Sequence, residues 1–197
     1  MNTISNILYW ISTGLLVPVI VLLIFFFIRA LILIGAFFGQ YMQEKKNSDR
    51  LDSLTKAGGN IDDLKAKLPK KSSSAAILYA KAILESHGDE TRTNLLLSEY
   101  ELAADKNVAT SRILTKMGPI LGLMGTLIPM GPALVGLAQG DIASMAYNMQ
   151  VAFATTVVGL TVSAIGFLTQ QAKERWAVRN LSVLEYLASI NNKTSES

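Results

Sequence analysis

Four of the hydroxyl side chains inside strongly apolar stretches are placed where they could contact a translocated ion. Thr126 lies in the apolar block of residues 117–137, and Thr155, Thr156 and Ser163 lie in the block of residues 145–168. Hydroxyl groups lining a pore can take the place of water around an ion. These four residues are therefore candidate ion-pathway residues.

The same two blocks carry small or polar residues at alternating spacings of four and three. At about 100° per residue, such positions fall on one face of a helix. We call these faces the span-two seam (Gly118, Gly122, Gly125, Pro129, Pro132 and Gly136) and the span-three seam (Asn148, Ala152, Thr155, Gly159, Ser163, Gly166 and Gln170).

Two interpretations of these seams stay open. Small residues allow close helix packing in membranes, and threonine hydroxyls often bond a carbonyl one turn back. Alternatively, the seams line a pathway, and the flanking Thr126 and Thr156 support this because both lie near mid-block. Thr126 is about 14 Å from one end of its block and Thr156 about 18 Å from the same side, which gives them similar depth. Pro129 and Pro132 free carbonyls that would either line a polar cavity or mark a bend.

The apolar blocks predict an all-α integral membrane protein with three transmembrane helices. Half of the 197 residues are hydrophobic, and the mean hydropathy is +0.35. The first block, residues 7–38, would form a helix of about 48 Å, longer than the roughly 30 Å hydrocarbon core. An arginine is costly at mid-bilayer, so Arg29 is placed at one interface, and Tyr9 and Trp10 at the other. The first span is then residues 9–28, and residues 31–38 continue as an apolar helix that needs a protein partner.

Positive charge predicts the orientation. Thirteen of the 18 Lys and Arg residues lie between residues 40 and 116, ending at Lys116, and four follow Leu168. The N-terminus before Tyr9 and the turn around Asp141 carry none. The positive-inside rule therefore puts the long loop and the C-terminus in the cytoplasm and the N-terminus outside, in a multi-pass protein of the inner membrane. The basic composition is a topology signal and does not indicate nucleic-acid binding.

The predicted domains are residues 1–38 (first span and extension), 39–112 (cytoplasmic helical region), 113–171 (transmembrane hairpin) and 172–197 (cytoplasmic C-terminal helix and tail). Turns are expected at Gly58 to Asn60 and after Pro69, with a serine capping a helix over residues 75–86 that Gly88 ends. Asp89 should cap a helix running into the second span. Trp176, Leu181, Leu184, Leu187 and Ile190 recur at helical spacing in the tail. The alternative to this helical bundle is a solvated linker.

Several function classes find no support in the sequence. It has no cysteine, a single histidine (His87) and no phosphate-binding G-x-x-x-x-G-K-[ST] loop. A zinc site usually needs three or four His, Cys or carboxylate ligands. The spans also lack Asp, Glu or Lys at mid-depth, and proton relays in membranes usually require an ionisable group. We expect neither an enzyme nor a bound metal or cofactor, and the chain alone is not expected to be a complete proton-coupled machine.

Two sequence runs resemble the MotA/TolQ/ExbB family. Residues 118–126, Gly-Pro-Ile-Leu-Gly-Leu-Met-Gly-Thr, resemble the Gly-Leu-x-Gly-Thr run of the second span of TolQ and ExbB. Residues 154–160, Ala-Thr-Thr-Val-Val-Gly-Leu, resemble their third-span Ala-Thr-Ala-Ile-Gly-Leu. The three-span topology is similar to TolQ and ExbB rather than to four-span MotA. Residues 128–132 depart from the Val-Trp-Gly-Ile-Met type of continuation.

The resemblance implies a specific machine. Family members form a homo-oligomer, a pentameric ring, around two copies of a single-span partner of the ExbD, TolR or MotB type, whose aspartate binds the ion. Thr126 and Thr156 would match the pore threonines that face this aspartate. The implied function is a stator-type subunit that couples H+ (or Na+) flow to mechanical work on the envelope, such as outer-membrane import. The alternatives are a flagellar-type stator subunit and a structural membrane scaffold without ion translocation.

Overall fold

The structure is a computed structural model that describes residues 2–56, 74–86 and 88–195. These residues form four helices, α1 (Asn2–Lys56), α2 (Ala75–Leu84), α3 (Glu90–Ala138) and α4 (Ile142–Ser195), and no strand. α1, α3 and α4 are each long and apolar enough to cross a membrane. The prediction of an all-helical protein with three apolar spans is confirmed. The turn expected at Gly58 to Asn60, the break expected after Pro69, and His87 lie outside the described residues.

The chain divides into two compact units. The first comprises Met1–Gly35 and Thr110–Thr169, and the second comprises Ala36–Ala109 and Gln170–Ser197. The first contains the predicted spans, and the second contains the regions with most of the positive charge.

In the first unit, α1 packs against α3 and α4 through large aliphatic side chains. Val19 and Leu23 form one buried cluster with Leu121 and Ile128 of α3. A second cluster joins Ala30 and Leu33 of α1 to Leu114 of α3 and Val162 of α4. As residue numbers rise along α1 they fall along α3, so these two helices are antiparallel. Most remaining apolar side chains of the three helices are exposed, as expected for surfaces that face lipid or another chain.

The second unit has a core of its own. α2 packs its Ala76, Ile77, Ala80, Ile83 and Leu84 against the start of α3 and the end of α4. Of the predicted tail positions, Leu184 and Leu187 are fully buried. The described part of this region is therefore a helical bundle and not a solvated linker.

Residues 31–38, predicted to need a protein partner, are only partly covered within the chain. Leu33 is buried in the first unit, and within the second unit the Phe37 ring stacks on Trp176 at 5.4 Å. Leu31, Ile32 and Phe38 stay more than half exposed. The helix also continues beyond this apolar stretch, because α1 ends only at Lys56.

The helix ends follow local chemistry with one exception. Asp89 Oδ1 accepts a hydrogen bond from the Arg92 N–H at 3.1 Å, which confirms it as the cap of α3. Gly88 has a φ of 79° after the end of α2, a conformation that favours glycine. The exception is Ser74, which stands at the N-terminal boundary of α2 but makes no side-chain capping bond, so the predicted serine cap is wrong in its chemistry.

Candidate ion-pathway site

α3 and α4 approach so closely that their glycines form the contact. A Cβ on Gly118 would lie 2.5 Å from the carbonyl oxygen of Gly159, and one on Gly159 would lie 2.8 Å from the Cα of Gly122. A Cβ on Gly166 would lie 2.6 Å from the backbone nitrogen of Thr115. Only glycine allows backbones to come this close. The two seams therefore pack against each other within one chain.

The structure separates the four predicted ion-pathway residues into two pairs. Thr155 and Ser163 lie in the helix contact. Thr155 is 6% exposed and sits where a Gly125 side chain would be. Ser163 Oγ donates across the contact to the Thr115 carbonyl at 2.9 Å. Both side chains join α4 to α3.

Thr126 and Thr156 are the second pair, and both are partly exposed. Thr126 Oγ1 donates to the Leu123 carbonyl at 2.7 Å, and Thr156 Oγ1 donates to the Ala152 carbonyl at 3.1 Å. Each hydroxyl thus bonds its own helix, as expected for threonine in an apolar helix. The lone pairs on both oxygens can still accept a hydrogen bond, since each hydroxyl has only one proton to donate.

Thr126 and Thr156 lie on the same edge of the hairpin. Relative to the contact glycines Gly118 and Gly159, Thr126 is rotated by about 80° and Thr156 by about 60° in the same sense. The side chains that cluster with α1, Leu121 and Val162, are rotated by about 60° in the opposite sense. α1 therefore covers one edge of the hairpin, and the two threonines occupy the other.

The two threonines also lie at similar levels. A Cβ on Gly122 would lie 3.6 Å from the Cα of Thr156, which places these residues opposite each other. Thr126 is four residues further along α3 than Gly122, so the levels of the two threonines differ by roughly 6 Å. The hydroxyls therefore form one polar patch on this edge.

The edge becomes apolar towards the turn that joins α3 and α4. Met149, which is half-buried, lies about 80° from Gly159 on the same edge and about 10 Å from the level of Thr156. Sequence reasoning missed this position of Met149, because nothing in the pattern shows which side of the hairpin α1 covers. The polar patch thus ends before the turn that joins α3 and α4.

The seam prolines differ in their environment. Pro129 is fully buried and Pro132 is partly exposed, and both lie inside the continuous helix α3. Gly136 lies in the close contact next to the turn, where an added Cβ would lie 3.2 Å from the Asp141 carbonyl oxygen. The turn follows at Gly140, whose φ is 75°.

The sequence also did not predict a polar contact between α3 and α4 at the other end of the hairpin. Thr169 Oγ1 lies 3.1 Å from Ser111 Oγ, and both side chains are buried. Thr115 Oγ1 donates to the Ser111 carbonyl at 2.9 Å. Ser111 precedes the predicted start of the hairpin at residue 113, and the pattern of small residues begins only at Gly118, so the sequence carries no signal for this contact.

Among the predicted interface anchors, Arg29 and Lys116 are both exposed. Arg29 adjoins Ala30, which packs with Leu114, so Arg29 and Lys116 lie at similar levels. Trp10 is 74% exposed, as a side chain in a membrane interface would be. Nothing is described of the Tyr9 side chain. In the described residues there is no cluster of three or more His, Cys, Asp or Glu side chains that could hold a metal ion.

Three long apolar helices, two of them packed through glycines, define a helical membrane protein. The comparison with protein families gives the particular class. The model of the MotA/TolQ/ExbB proton channel family matches residues 70–185, more than half of the chain and including both threonine runs. The chain belongs to this family, and the predicted family membership is confirmed. A comparison with curated proteins found no match.

Proposed function

We propose that this protein is the pore-wall subunit of an ion-driven motor in the inner membrane. Its family is one of proton channels. In the proposal, the hairpin edge with Thr126 and Thr156 faces the ion, and H+ is the translocated ion, with Na+ as the alternative. A pentamer of this chain surrounds two single-span partners of the ExbD, TolR or MotB type. Energising an outer-membrane import process is the proposed task.

The main support for the proposal is that Thr126 and Thr156 lie on the same edge of the hairpin. Two threonines from different helices are partly exposed, lie within about one turn of each other in level, and sit opposite the edge that α1 covers. If the seams served packing alone, hydroxyls would be expected mainly in the contact, where Thr155 and Ser163 lie. A second polar pair on the uncovered edge suits a water- or ion-bearing surface.

The absence of an acid in the spans supports a partner. The sequence has no Asp or Glu between residues 1 and 43 or between residues 106 and 140, and none between Asp141 and Glu174. An ion pathway in the membrane usually includes an ionisable group. A carboxylate from a single-span partner, placed beside the threonine edge, would complete the pathway. Each ion crossing 100 mV then releases about 2.3 kcal/mol for mechanical work.

Thr156→Val tests the role of the edge. Valine keeps the shape of threonine and removes the hydroxyl. We expect loss of partner-dependent ion flux in proteoliposomes, with assembly unchanged by size-exclusion chromatography. The matched control is Thr161→Val on the same helix, because Thr161 is exposed on another face and also bonds its own helix, at 2.8 Å to the Val157 carbonyl.

Flux through Thr156→Val equal to that through Thr161→Val would exclude the assigned role.

The second candidate function is a structural scaffold, supported by the close glycine contact of the seams. It predicts no ion flux with any aspartate-bearing partner. A flagellar-type stator would instead support motility, so complementation of import and of motility defects distinguishes the two tasks.

A further inference from the structure

The second compact unit contains a cleft of about 320 Å³ that the proposed ion pathway does not use. Short side chains leave this space open between α1, α2, α3 and α4: Ala75, Ala76, Ala103, Ala104 and Ala177. Polar side chains project from the walls between these alanines. The cleft therefore combines room for a small group with donors and acceptors to bind it.

Lys173 provides a buried positive charge in this cleft. It is 6% exposed, and its Nζ donates to the backbone carbonyl and to the side-chain Oδ1 of Asn107, both at 3.2 Å. Burial lowers the pKa of its ammonium group. An ammonium has three donors, so these two bonds leave one for a ligand. No carboxylate among the described residues forms an ion pair with Lys173, and a buried cation without one is costly.

Glu44 provides a negative charge in the same cleft. Its carboxylate accepts a hydrogen bond from Asn180 Nδ2. Burial raises the pKa of the neighbouring Tyr100 hydroxyl. The hydrogen bond between Tyr100 and Asn180 lowers this pKa, and the nearby charge of Glu44 raises it. Within the described residues Glu44 also has no ion-pair partner. One cleft thus presents a cation and an anion that do not neutralise each other.

The cleft lies at the level expected for phospholipid headgroups. Along α4, Lys173 follows Leu168, the last residue of the predicted third span, by about 7.5 Å. Trp176 lies at the cleft and contacts Phe37 and Tyr41, with ring centroids 5.4 and 6.0 Å apart. Aromatic clusters of this kind are enriched at membrane interfaces. Basic pockets between helices on the cytoplasmic side are known to hold the headgroups of anionic phospholipids, so a basic residue at this level can bind a lipid phosphate.

The geometry points to a binding site for the headgroup of a phosphoethanolamine lipid, with its phosphate at Lys173 and its ammonium at Glu44. An anionic phosphoglycerol lipid would satisfy Lys173 but would leave Glu44 without a cation. A choline headgroup has no N–H to donate to Glu44. Because the cleft presents both Lys173 and Glu44, it favours a headgroup that carries a primary ammonium beside a phosphate. This inference does not rest on the proposed ion pathway.

The test is lipid retention by the purified full chain. Protein is reconstituted with equal amounts of phosphatidylethanolamine, phosphatidylglycerol and phosphatidylcholine, and retained lipids are counted by native mass spectrometry. We expect preferential retention of phosphatidylethanolamine. Lys173→Gln should reduce that retention about tenfold, equivalent to about 1.4 kcal/mol. Glu44→Gln should shift retention towards phosphatidylglycerol. Lys106→Gln and Glu101→Gln, exposed positions of α3 outside the cleft, should match the wild type.

Unchanged retention in Lys173→Gln would overturn the site. Equal retention of phosphatidylethanolamine and phosphatidylglycerol in both wild type and Glu44→Gln would overturn the selectivity. Circular dichroism and size-exclusion chromatography confirm that each variant is folded, and Lys173→Arg, which keeps the charge, should retain lipid if the ammonium acts by charge. Displacement by soluble phosphoethanolamine, with no retention of any lipid, would assign the cleft to a free phosphate compound and contradict a lipid site.

Discussion

At the scale of single residues, the glycines of the hairpin contact differ from those elsewhere in the same helix. Gly118 has the Gly159 carbonyl oxygen 2.5 Å from where its Cβ would stand, whereas a Cβ on Gly131 would meet nothing within 4 Å. Both lie in α3. One methyl group should therefore have opposite effects at the two positions.

We expect Gly118→Ala to destabilise the protein by about 1–3 kcal/mol, because backbone atoms of α4 must move to admit the methyl group. Gly131→Ala should be neutral or stabilising by up to about 1 kcal/mol, since alanine favours helix. Thermal unfolding in detergent, followed by circular dichroism, measures both. Equal melting temperatures for the two variants would contradict the close contact.

The sequence predicts the two seams, but it does not predict which threonines lie in the helix contact and which lie on the exposed edge. The spacing of Gly118, Gly122 and Gly159 showed that these residues share faces. It did not show that Thr155 lies in the contact while Thr156, its neighbour, lies on the edge. A shift of one residue rotates a side chain by about 100°, so the assignment needs the position of α1 as well as the pattern.

At the scale of elements, buried hydroxyls join α3 and α4 at the end of the hairpin that lies away from the turn at Gly140. Thr169 Oγ1 and Ser111 Oγ lie 3.1 Å apart between α4 and α3, and Ser111 is fully buried. Thr169 also bonds carbonyls of its own helix, those of Ile165 and Gly166. Removing Thr169 leaves the buried Ser111 hydroxyl without this bond, whereas removing Ser111 leaves Thr169 bonded only within its own helix.

We expect Thr169→Ala and Ser111→Ala each to destabilise the helix pair by about 1–2 kcal/mol, and the double variant to cost less than the sum. The matched control is Thr161→Ala, whose hydroxyl is exposed and bonds only its own helix, so its effect should be small. Denaturant titrations of the wild type, the two single variants and the double variant give the coupling free energy. A purely additive double variant would show that the bond contributes nothing across the contact.

The helices themselves could be predicted closely where a strong local signal marks them. Asp89 marks the start of α3, and neither glycine nor proline follows before Gly118. α4 runs without a boundary from Ile142 to Ser195, so the third span and the tail helix are one element. Residues 40–56 also contain neither glycine nor proline, but they are mostly polar, so no apolar block marked the continuation of α1 to Lys56.

At the scale of the whole molecule, the sequence indicates orientation through charge alone. Apart from Arg29, every Lys and Arg lies between residues 40 and 116 or after Leu168. Helix packing is the same whichever way the chain crosses the membrane, so it adds no information on direction. The cleft was not predictable, because it depends on which alanines of α2, α3 and α4 come together and on Lys173 and Glu44, which are far apart in sequence.

The orientation can be measured directly because the chain has no cysteine. In this cysteine-free background, Gln139→Cys in the turn between α3 and α4 and Glu99→Cys in α3 introduce single thiols at exposed positions. If positive charge keeps the loop inside, a membrane-impermeant maleimide should label Gln139→Cys in intact spheroplasts and Glu99→Cys only after permeabilisation. The unsubstituted chain, which has no thiol, is the control for background. Labelling of Glu99→Cys before permeabilisation, with Gln139→Cys protected, would reverse the topology and place the cleft and the tail outside the cell.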